Sequence, residues 1–184
     1  DAVVISKAAG GSLPLAAVVY RGDADPWAPG AHAGAFRGNQ LAMAAGTATI
    51  AHIRENRLDE HAARIGALLL EGLRHLRADH GMLGDVRGRG LMIGIEIVDP
   101  DTGPQPDGAR PPAAPAPALA SAVRAEALDR GLIVGLGGRH GTVIRLLPPL
   151  TITEEQAEAV LARLSDAVAA AGRRRTKPVD AQES

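Results

Sequence analysis

The sequence predicts an α/β fold, and three observations support this class. Two apolar runs near the start, at 2–5 and 15–20, lack the alternation of a half-exposed strand. Such continuous runs are typical of strands that are covered on both faces. Helical periodicity then extends over about 40–79, and the remaining sequence alternates short apolar segments with glycine turns, which predicts a smaller α+β unit.

The first two predicted strands are separated only by a short Gly-Gly-Ser-Leu-Pro turn. Parallel strands need a crossover connection of about a dozen residues or more, so these two cannot by themselves close a parallel sheet. We therefore expect residues 1–54 to be the remnant of a larger domain, and the chain to be the C-terminal portion of a longer protein. A loop rich in Gly, Pro, Asp and His follows, from Arg21 to about Arg37.

The helical region begins after Asn39. Apolar residues recur at a period of 3.6 through 58–76, which predicts one or two long helices. We expect residues 55–79 to be a helix that links the remnant to a small domain at 80–172.

Turn and capping residues divide the predicted small domain. The segment GDVRGRGLMIGIEIVD predicts a glycine turn that opens onto a strand at about 91–98, and the Pro and Gly of 100–117 predict an exposed loop. Thr153 and Gln156 have the spacing of a capping box for a last helix. The other predicted elements are a helix at 117–129 that ends at Gly131, strands at 132–136 and 142–147, and a flexible tail at 173–184.

Composition excludes several kinds of site. The formal net charge of -1 gives no reason to expect a nucleic acid or an anionic membrane as partner. The absence of cysteine excludes disulfides and thiolate metal sites, and we expect a cytoplasmic protein. His75 and His80 are five residues apart, so they do not share a helix face as zinc ligands would.

Lys7 follows the first apolar run directly, and it has two interpretations. It is either a lysine at a strand end that reaches solvent, or a lysine in an apolar pocket. In such a pocket its pKa falls because the charged form is poorly solvated, and the free amine becomes a nucleophile.

Four motifs in order carry a family resemblance: VVISKAAGGSLPLAAVVYR, PGAHAGAFRGNQLAMAAGTA, GDVRGRGLMIGIEIVD and TVIRLLPPLTIT. Together they resemble the class III aminotransferases, which are pyridoxal-phosphate-dependent enzymes of fold type I. The resemblance extends over about 1–170. It implies a large-domain remnant, a long linking helix and a small C-terminal domain, and it implies pyridoxal 5′-phosphate as the cofactor of a homodimer.

The resemblance assigns roles to individual residues. Lys7 matches the lysine that forms a Schiff base with the cofactor and then moves a proton on the substrate. The segment at Ala35 and Phe36 matches the phosphate-binding stretch of the neighbouring subunit, where the family normally has a threonine hydroxyl in place of Ala35. The alternative interpretation of this segment is a simple helix-capping loop.

Arg145 matches the arginine that binds the α-carboxylate of the substrate, because a guanidinium can hold a carboxylate through two parallel hydrogen bonds. The alternative interpretation is a surface arginine on an edge strand. Arg37 and His140 are near the matched motifs and are candidates for the mouth of the active site.

The expected activity is amino transfer between L-2,4-diaminobutyrate and 2-oxoglutarate. Ornithine, acetylornithine or 4-aminobutyrate is the alternative amino donor, and a non-catalytic dimerisation module is the alternative from another class. In the family the phosphate loop, the aromatic residue that stacks on the cofactor ring and the aspartate that pairs with the ring nitrogen precede the lysine. Asp1 is too close to Lys7 to be that aspartate, so we expect the chain alone not to transaminate.

Overall fold

The structure, a computed structural model, describes residues 1–31, 33–35, 37–102 and 113–176. The chain forms two compact units: an N-terminal unit, Asp1–Leu58, and a C-terminal unit, Asp59–Ser184. Helices and antiparallel strands are mixed along the chain, so the predicted α/β class is confirmed. The domain boundaries expected from the sequence stay a prediction.

A two-stranded antiparallel ribbon opens the N-terminal unit. Strand β1, Ala2–Ser6, pairs with strand β2, Ala16–Tyr20, from Ala2 opposite Tyr20 to Ser6 opposite Ala16. The expectation that these strands are covered on both faces is wrong for this chain, because every residue of both strands is exposed. The reason is that the described residues of this unit place no further layer against the ribbon, so the apolar side chains of both faces meet solvent.

Two helices follow, and local backbone and side-chain interactions determine where the first ends and the second begins. Helix α1, Gln40–Glu55, begins after Asn39, whose side-chain oxygen accepts hydrogen bonds from the backbone N–H groups of residues 41 and 42. It ends before Arg57, which has a φ of 50° that an α-helix cannot contain. Helix α2, Leu58–Asp79, starts at the next residue. The predicted region of one or two helices is therefore two helices.

The C-terminal unit is built on a four-stranded antiparallel sheet. The predicted strands at 91–98 and 142–147 are confirmed, and they are neighbours in the middle of this sheet. The four strands are β3, Leu83–Arg89; β4, Met92–Ile97; β5, Gly135–Gly137; and β6, Val143–Leu146, in the spatial order β3-β4-β6-β5.

Two details of this sheet differ from the prediction. The segment GDVRGR is a strand, β3, and the turn is confined to Gly90 and its neighbour Leu91. Gly90 has a φ of 55°, and a Cβ on Gly66 of α2 would lie 2.8 Å from the Gly90 Cα, so the helix packs directly on this turn. The strand predicted at 132–136 lies instead at Gly135–Gly137, because its pairing with β6 sets its position.

One face of the sheet carries the core, and the other is open. Helix α2 packs on the core face of the sheet, together with α3, Pro117–Asp129, and α4, Glu154–Thr176. The largest fully buried aliphatic side chains of this core, each less than 2% exposed, come from these helices and from strands β4 and β6 and include Ile65, Leu69, Leu73, Ile95, Ile97, Val123, Ile144, Leu164 and Val168.

The ends of the helices largely follow the predicted signals. Gly131, with a φ of 72°, follows the C-cap of α3. The capping box is present, since the Thr153 N–H donates to Gln156 Oε1 and the Gln156 N–H donates to Thr153 Oγ1. Helix α4 continues past the predicted limit at 172, to Thr176, and Arg174 in its last turn lies in ion contact with Glu126 of α3. The tail beyond 176, and residues 103–112 of the predicted loop, lie outside the described residues.

Candidate active site

Lys7 lies where β1 gives way to a short 3₁₀ turn, Lys7–Gly10. Its φ of 60° is in the left-handed region, which costs a residue other than glycine about 1–2 kcal/mol. Such strain persists only where the surrounding structure maintains it, and it clusters at functional sites. The Lys7 side chain is exposed, so the described residues do not enclose it. The amine is therefore open to a reactant in this chain.

Helix α1 supports this turn at very short distance. A Cβ on Gly46 would lie 3.0 Å from the carbonyl oxygen of Ala9 and 2.6 Å from Leu15 Cδ2. Any side chain at this position would push the helix and the turn apart, so glycine is required for the contact. The 3₁₀ turn that begins at Lys7 therefore contacts α1 through the backbone of Ala9.

The segment that precedes α1 is a series of turns. Ala35 and Arg37 are both exposed, and the Arg37 N–H donates to the carbonyl oxygen of Gly34 at 3.1 Å. Phe36 lies outside the described residues. Asn39 already accepts two of the first N–H groups of α1, so fewer backbone donors remain at this helix end for a phosphate.

Arg145 lies on β6, on the open face of the sheet, and its side chain is exposed. The strand is internal, so the alternative of an edge-strand arginine does not describe it. In the sheet register Arg145 lies opposite Gly94 of β4 on one side and opposite Gly135 of β5 on the other. Among the described residues no carboxylate pairs with its guanidinium, which leaves its hydrogen-bond donors available to a ligand.

A groove on the same face passes beside Arg145. It has a volume of about 410 Å³ and is lined by parts of β3, β4 and β6, including Gly94, Val143 and Leu147. Arg87 also lines it, but Arg87 is neutralised by Asp85 at 2.7 Å and by Glu96 at 3.4 Å. The hydrogen bond from Arg87 to Asp85 raises the pKa of this arginine further. Arg89 lines the groove as well and, like Arg145, has no carboxylate partner among the described residues. Arg145 is the anion-binding candidate because the sequence motif assigns it that role.

The predicted site residues fall into both units. Lys7 and Ala35 belong to the N-terminal unit, and Arg145 belongs to the C-terminal unit. His140 is exposed in the turn between β5 and β6, close in sequence to Arg145. Sequence reasoning missed Gly46 beneath the lysine turn and the glycines beside Arg145. The glycine-rich run GLGGRHG was a visible signal for the second of these.

Neither a metal site nor a membrane span is found in the part of the chain that the structure describes. Its His, Asp and Glu side chains form no group of three or more with the proximity of metal ligands. None of its helices combines the length and the apolar character that a bilayer crossing requires.

Comparison with known proteins gives a consistent family. Residues 1–168 match the class-III aminotransferase family. The chain is 48% identical over 174 residues to a diaminobutyrate–2-oxoglutarate aminotransferase of Rhizobium meliloti, which covers 95% of this chain and 36% of that protein. It is 40% identical over 168 residues to the protein of the same name from Haemophilus influenzae, with 91% and 36% covered.

The fold also matches a solved aminotransferase. The ornithine aminotransferase of Toxoplasma gondii, described with partial occupancy of pyridoxal phosphate at its active site, superposes with a TM-score of 0.79 at 26% identity, covering 96% of this chain and 38% of that one. The chain thus spans a little over a third of the length of the relatives it matches.

Proposed function

The chain belongs to the class-III aminotransferases, and from this we propose that it provides the lysine and the carboxylate-binding arginine of an enzyme that transfers an amino group from L-2,4-diaminobutyrate to 2-oxoglutarate. The products are aspartate 4-semialdehyde and glutamate. The choice of donor rests on the two relatives of that name, at 48% and 40% identity. A homodimer is part of the same proposal, because the segment at Ala35 is expected to serve the cofactor of the other subunit.

Pyridoxal 5′-phosphate is the cofactor of this family, and the residues present fit it in part. Lys7 offers an exposed primary amine, which is the group that binds a cofactor carbonyl covalently. The segment at Ala35, which the family motif places at the phosphate, would contribute backbone N–H groups and has no hydroxyl at that position. When bound, the cofactor supplies an electron-withdrawing ring that acidifies the C–H bond beside the amino group of the substrate.

The proposed chemistry of Lys7 has two parts. Its amine would hold the cofactor covalently through the cofactor's carbonyl carbon, and would be free once the substrate amine has taken its place. The released amine then takes a proton from the substrate carbon that carries the amino group, and later returns a proton. A flexible lysine suits both tasks because its amine can move through several ångströms while its backbone stays fixed. The 3₁₀ turn that packs on α1 holds the Lys7 backbone in place.

Arg145 is proposed to orient the substrate. Its guanidinium binds a carboxylate of the amino acid or the oxo acid through paired hydrogen bonds, which restricts rotation of the substrate relative to the reacting carbon. Gly94 and Gly135 beside it leave the guanidinium uncovered on the sheet face. The observation that carries the proposal is nevertheless Lys7, an exposed amine on a strained and supported turn at the position that the family motif assigns to the cofactor lysine.

A chimaera tests this proposal directly. The part of this chain that aligns with the Rhizobium meliloti relative replaces the corresponding segment of that protein. Transamination is assayed with diaminobutyrate, ornithine, acetylornithine and 4-aminobutyrate as donors. We expect turnover with diaminobutyrate at a rate within about tenfold of the parent relative, which is the positive control. A folded, dimeric chimaera that shows no turnover with any donor would refute the proposal and would favour a non-catalytic module.

The departure at Ala35 predicts weak phosphate binding that a single substitution improves. In the chimaera, Ala35→Thr restores the hydroxyl that the family normally has, and a hydrogen bond to a charged group contributes about 1.5–3 kcal/mol. We expect the dissociation constant for pyridoxal phosphate to fall about tenfold or more in an absorbance titration. Ala33→Thr, which adds the same hydroxyl two residues earlier, is the control. Equal constants for Ala35→Thr and the unsubstituted chimaera would show that another donor already satisfies the phosphate.

A further inference from the structure

Arg145 does not stand straight up from the sheet but lies across strand β5. A Cβ on Gly137 would be 2.9 Å from Arg145 Nε, 3.0 Å from its Cδ and 3.3 Å from its Cζ. The space that a side chain at 137 would need is thus filled by the arginine. On the other side of Arg145, a Cβ on Gly94 would meet only Val143 Cγ1, at 3.2 Å. The arginine therefore leans away from Gly94 and towards Gly137.

This lean leaves the groove beside Arg145 open. Gly94 and Val143 line that groove together with Arg145, whose guanidinium forms part of its wall. A side chain at 137 would displace Arg145, and the space above Gly94, which lacks a side chain of its own, is where the displaced guanidinium would go. The arginine would then occupy the volume that a carboxylate ligand needs.

From this geometry we infer that Gly137 is a positioning residue, which lets the Arg145 guanidinium lie against β5 and so keeps the groove above Gly94 free for the carboxylate of a substrate. This inference rests on the proposed role of Arg145 and deepens it. Gly137 touches no substrate itself and acts only through the direction of the arginine. Its backbone φ lies outside the left-handed region, so alanine is compatible with the backbone there.

The overlap between a Cβ at 137 and Arg145 is expected to change the position of the arginine without changing the stability of the sheet. The atoms that a Cβ at 137 would meet belong to an exposed, flexible side chain and not to the backbone. Relief of the overlap therefore moves the arginine and leaves the sheet intact. Gly135 is the matched control, because a Cβ there would lie 3.5 Å from Arg145 Nη2, an ordinary van der Waals contact that requires no movement.

The first experiment locates the arginine in the 184-residue chain. In the unsubstituted chain, we expect nuclear Overhauser contacts between the Arg145 side-chain Hδ and Hε and the Gly137 Hα. In Gly137→Ala the resonance of the Arg145 Nε–Hε group shifts and its Hδ and Hε show contacts to Gly94 instead, whereas in Gly135→Ala the spectrum keeps the unsubstituted pattern. The same Arg145 resonance in Gly137→Ala and in the unsubstituted chain would overturn the inference.

The second experiment measures the consequence in the chimaera. We expect Gly137→Ala to raise KM for 2-oxoglutarate about tenfold or more, to change kcat by less than about threefold and to leave the melting temperature within about two degrees. Gly135→Ala keeps the KM of the parent chimaera. An unchanged KM in Gly137→Ala, with a raised KM in Arg145→Ala, would overturn the role of Gly137 alone. An unchanged KM in Arg145→Ala would overturn the proposed role of the arginine, and with it the inference.

Discussion

Replacement of Lys7 with alanine is expected to abolish the covalent attachment of pyridoxal phosphate. It should also lower turnover by about a hundredfold to ten-thousandfold, the usual contribution of a positioned proton-transfer group. In the chimaera the visible absorbance of the lysine-bound cofactor disappears, and borohydride no longer fixes the cofactor to the protein. Both losses have one cause, because the same amine binds the cofactor and moves the proton.

A second substitution separates this chemistry from folding. Lys7 has a φ of 60°, a conformation that glycine adopts without strain. We therefore expect Lys7→Gly to raise the free energy of unfolding by about 1 kcal/mol relative to Lys7→Ala, while both variants lose the absorbance and the turnover equally. The measurement is thermal unfolding of each variant alongside the absorbance spectrum.

Two outcomes would contradict the assignment of Lys7. Turnover in Lys7→Ala at the rate of the unsubstituted chimaera would show that another group carries the chemistry. Loss of absorbance in Lys7→Ala together with a collapse of its unfolding transition, and recovery of both in Lys7→Gly, would show that the turn matters only for folding.

Much of the fold was predictable because its signals are local. The period of α2 follows from an apolar stripe that the sequence shows directly, and the capping box at 153–156 and the N-cap at Asn39 depend on neighbours within three residues. Strand β3 was missed because its outward positions are arginines and its inward ones include Gly88, so it lacks an apolar run. It forms a strand through backbone pairing with β4.

The site was predictable only as a set of residue types. The motif pointed to Lys7 and Arg145, but no sequence pattern shows that Lys7 is strained or that Gly46 of α1 supports its turn, because these depend on contacts between distant segments. The same holds for the exposure of β1. The apolar sequence of β1 is typical of a strand that is buried, but its exposure depends on which other layers of structure are present.

One buried carboxylate ties two helices of the C-terminal unit together. Glu126 of α3 has a side chain that is only 5% exposed, and Arg130 donates from one guanidinium nitrogen both to its Oε2 and, at 2.8 Å, to its carbonyl oxygen. Arg174 of α4 places Nη2 2.6 Å from Glu126 Oε1, in an ion contact that lacks hydrogen-bond alignment. Glu126 and Arg174 are far apart in the sequence, so the periodicity within α3 does not reveal their contact.

The carboxylate of this ion cluster is buried, whereas its two arginines are more exposed. We therefore expect removal of an arginine and removal of the carboxylate to have different effects on stability. Removal of Arg130 leaves a carboxylate buried with only the misaligned contact to Arg174, and breaking a buried pair in this way costs about 3–5 kcal/mol. Removal of the carboxylate by Glu126→Leu instead leaves two arginines whose side chains are 29% and 69% exposed and can turn to solvent. An apolar side chain of similar volume in that place is often neutral.

We therefore expect Arg130→Ala to lower the free energy of unfolding by about 3 kcal/mol, and Glu126→Leu to lower it by no more than about 1 kcal/mol. The double variant, Glu126→Leu with Arg130→Ala, should be more stable than Arg130→Ala alone, because it no longer contains an uncompensated buried charge. Urea unfolding of the 184-residue chain, followed by circular dichroism, measures all three. Arg124→Ala, an exposed arginine on the same helix, is the control for loss of positive charge. If Glu126→Leu proved as destabilising as Arg130→Ala, the stabilisation would come from the ion pairs themselves, and burial of the carboxylate would not be the dominant cost.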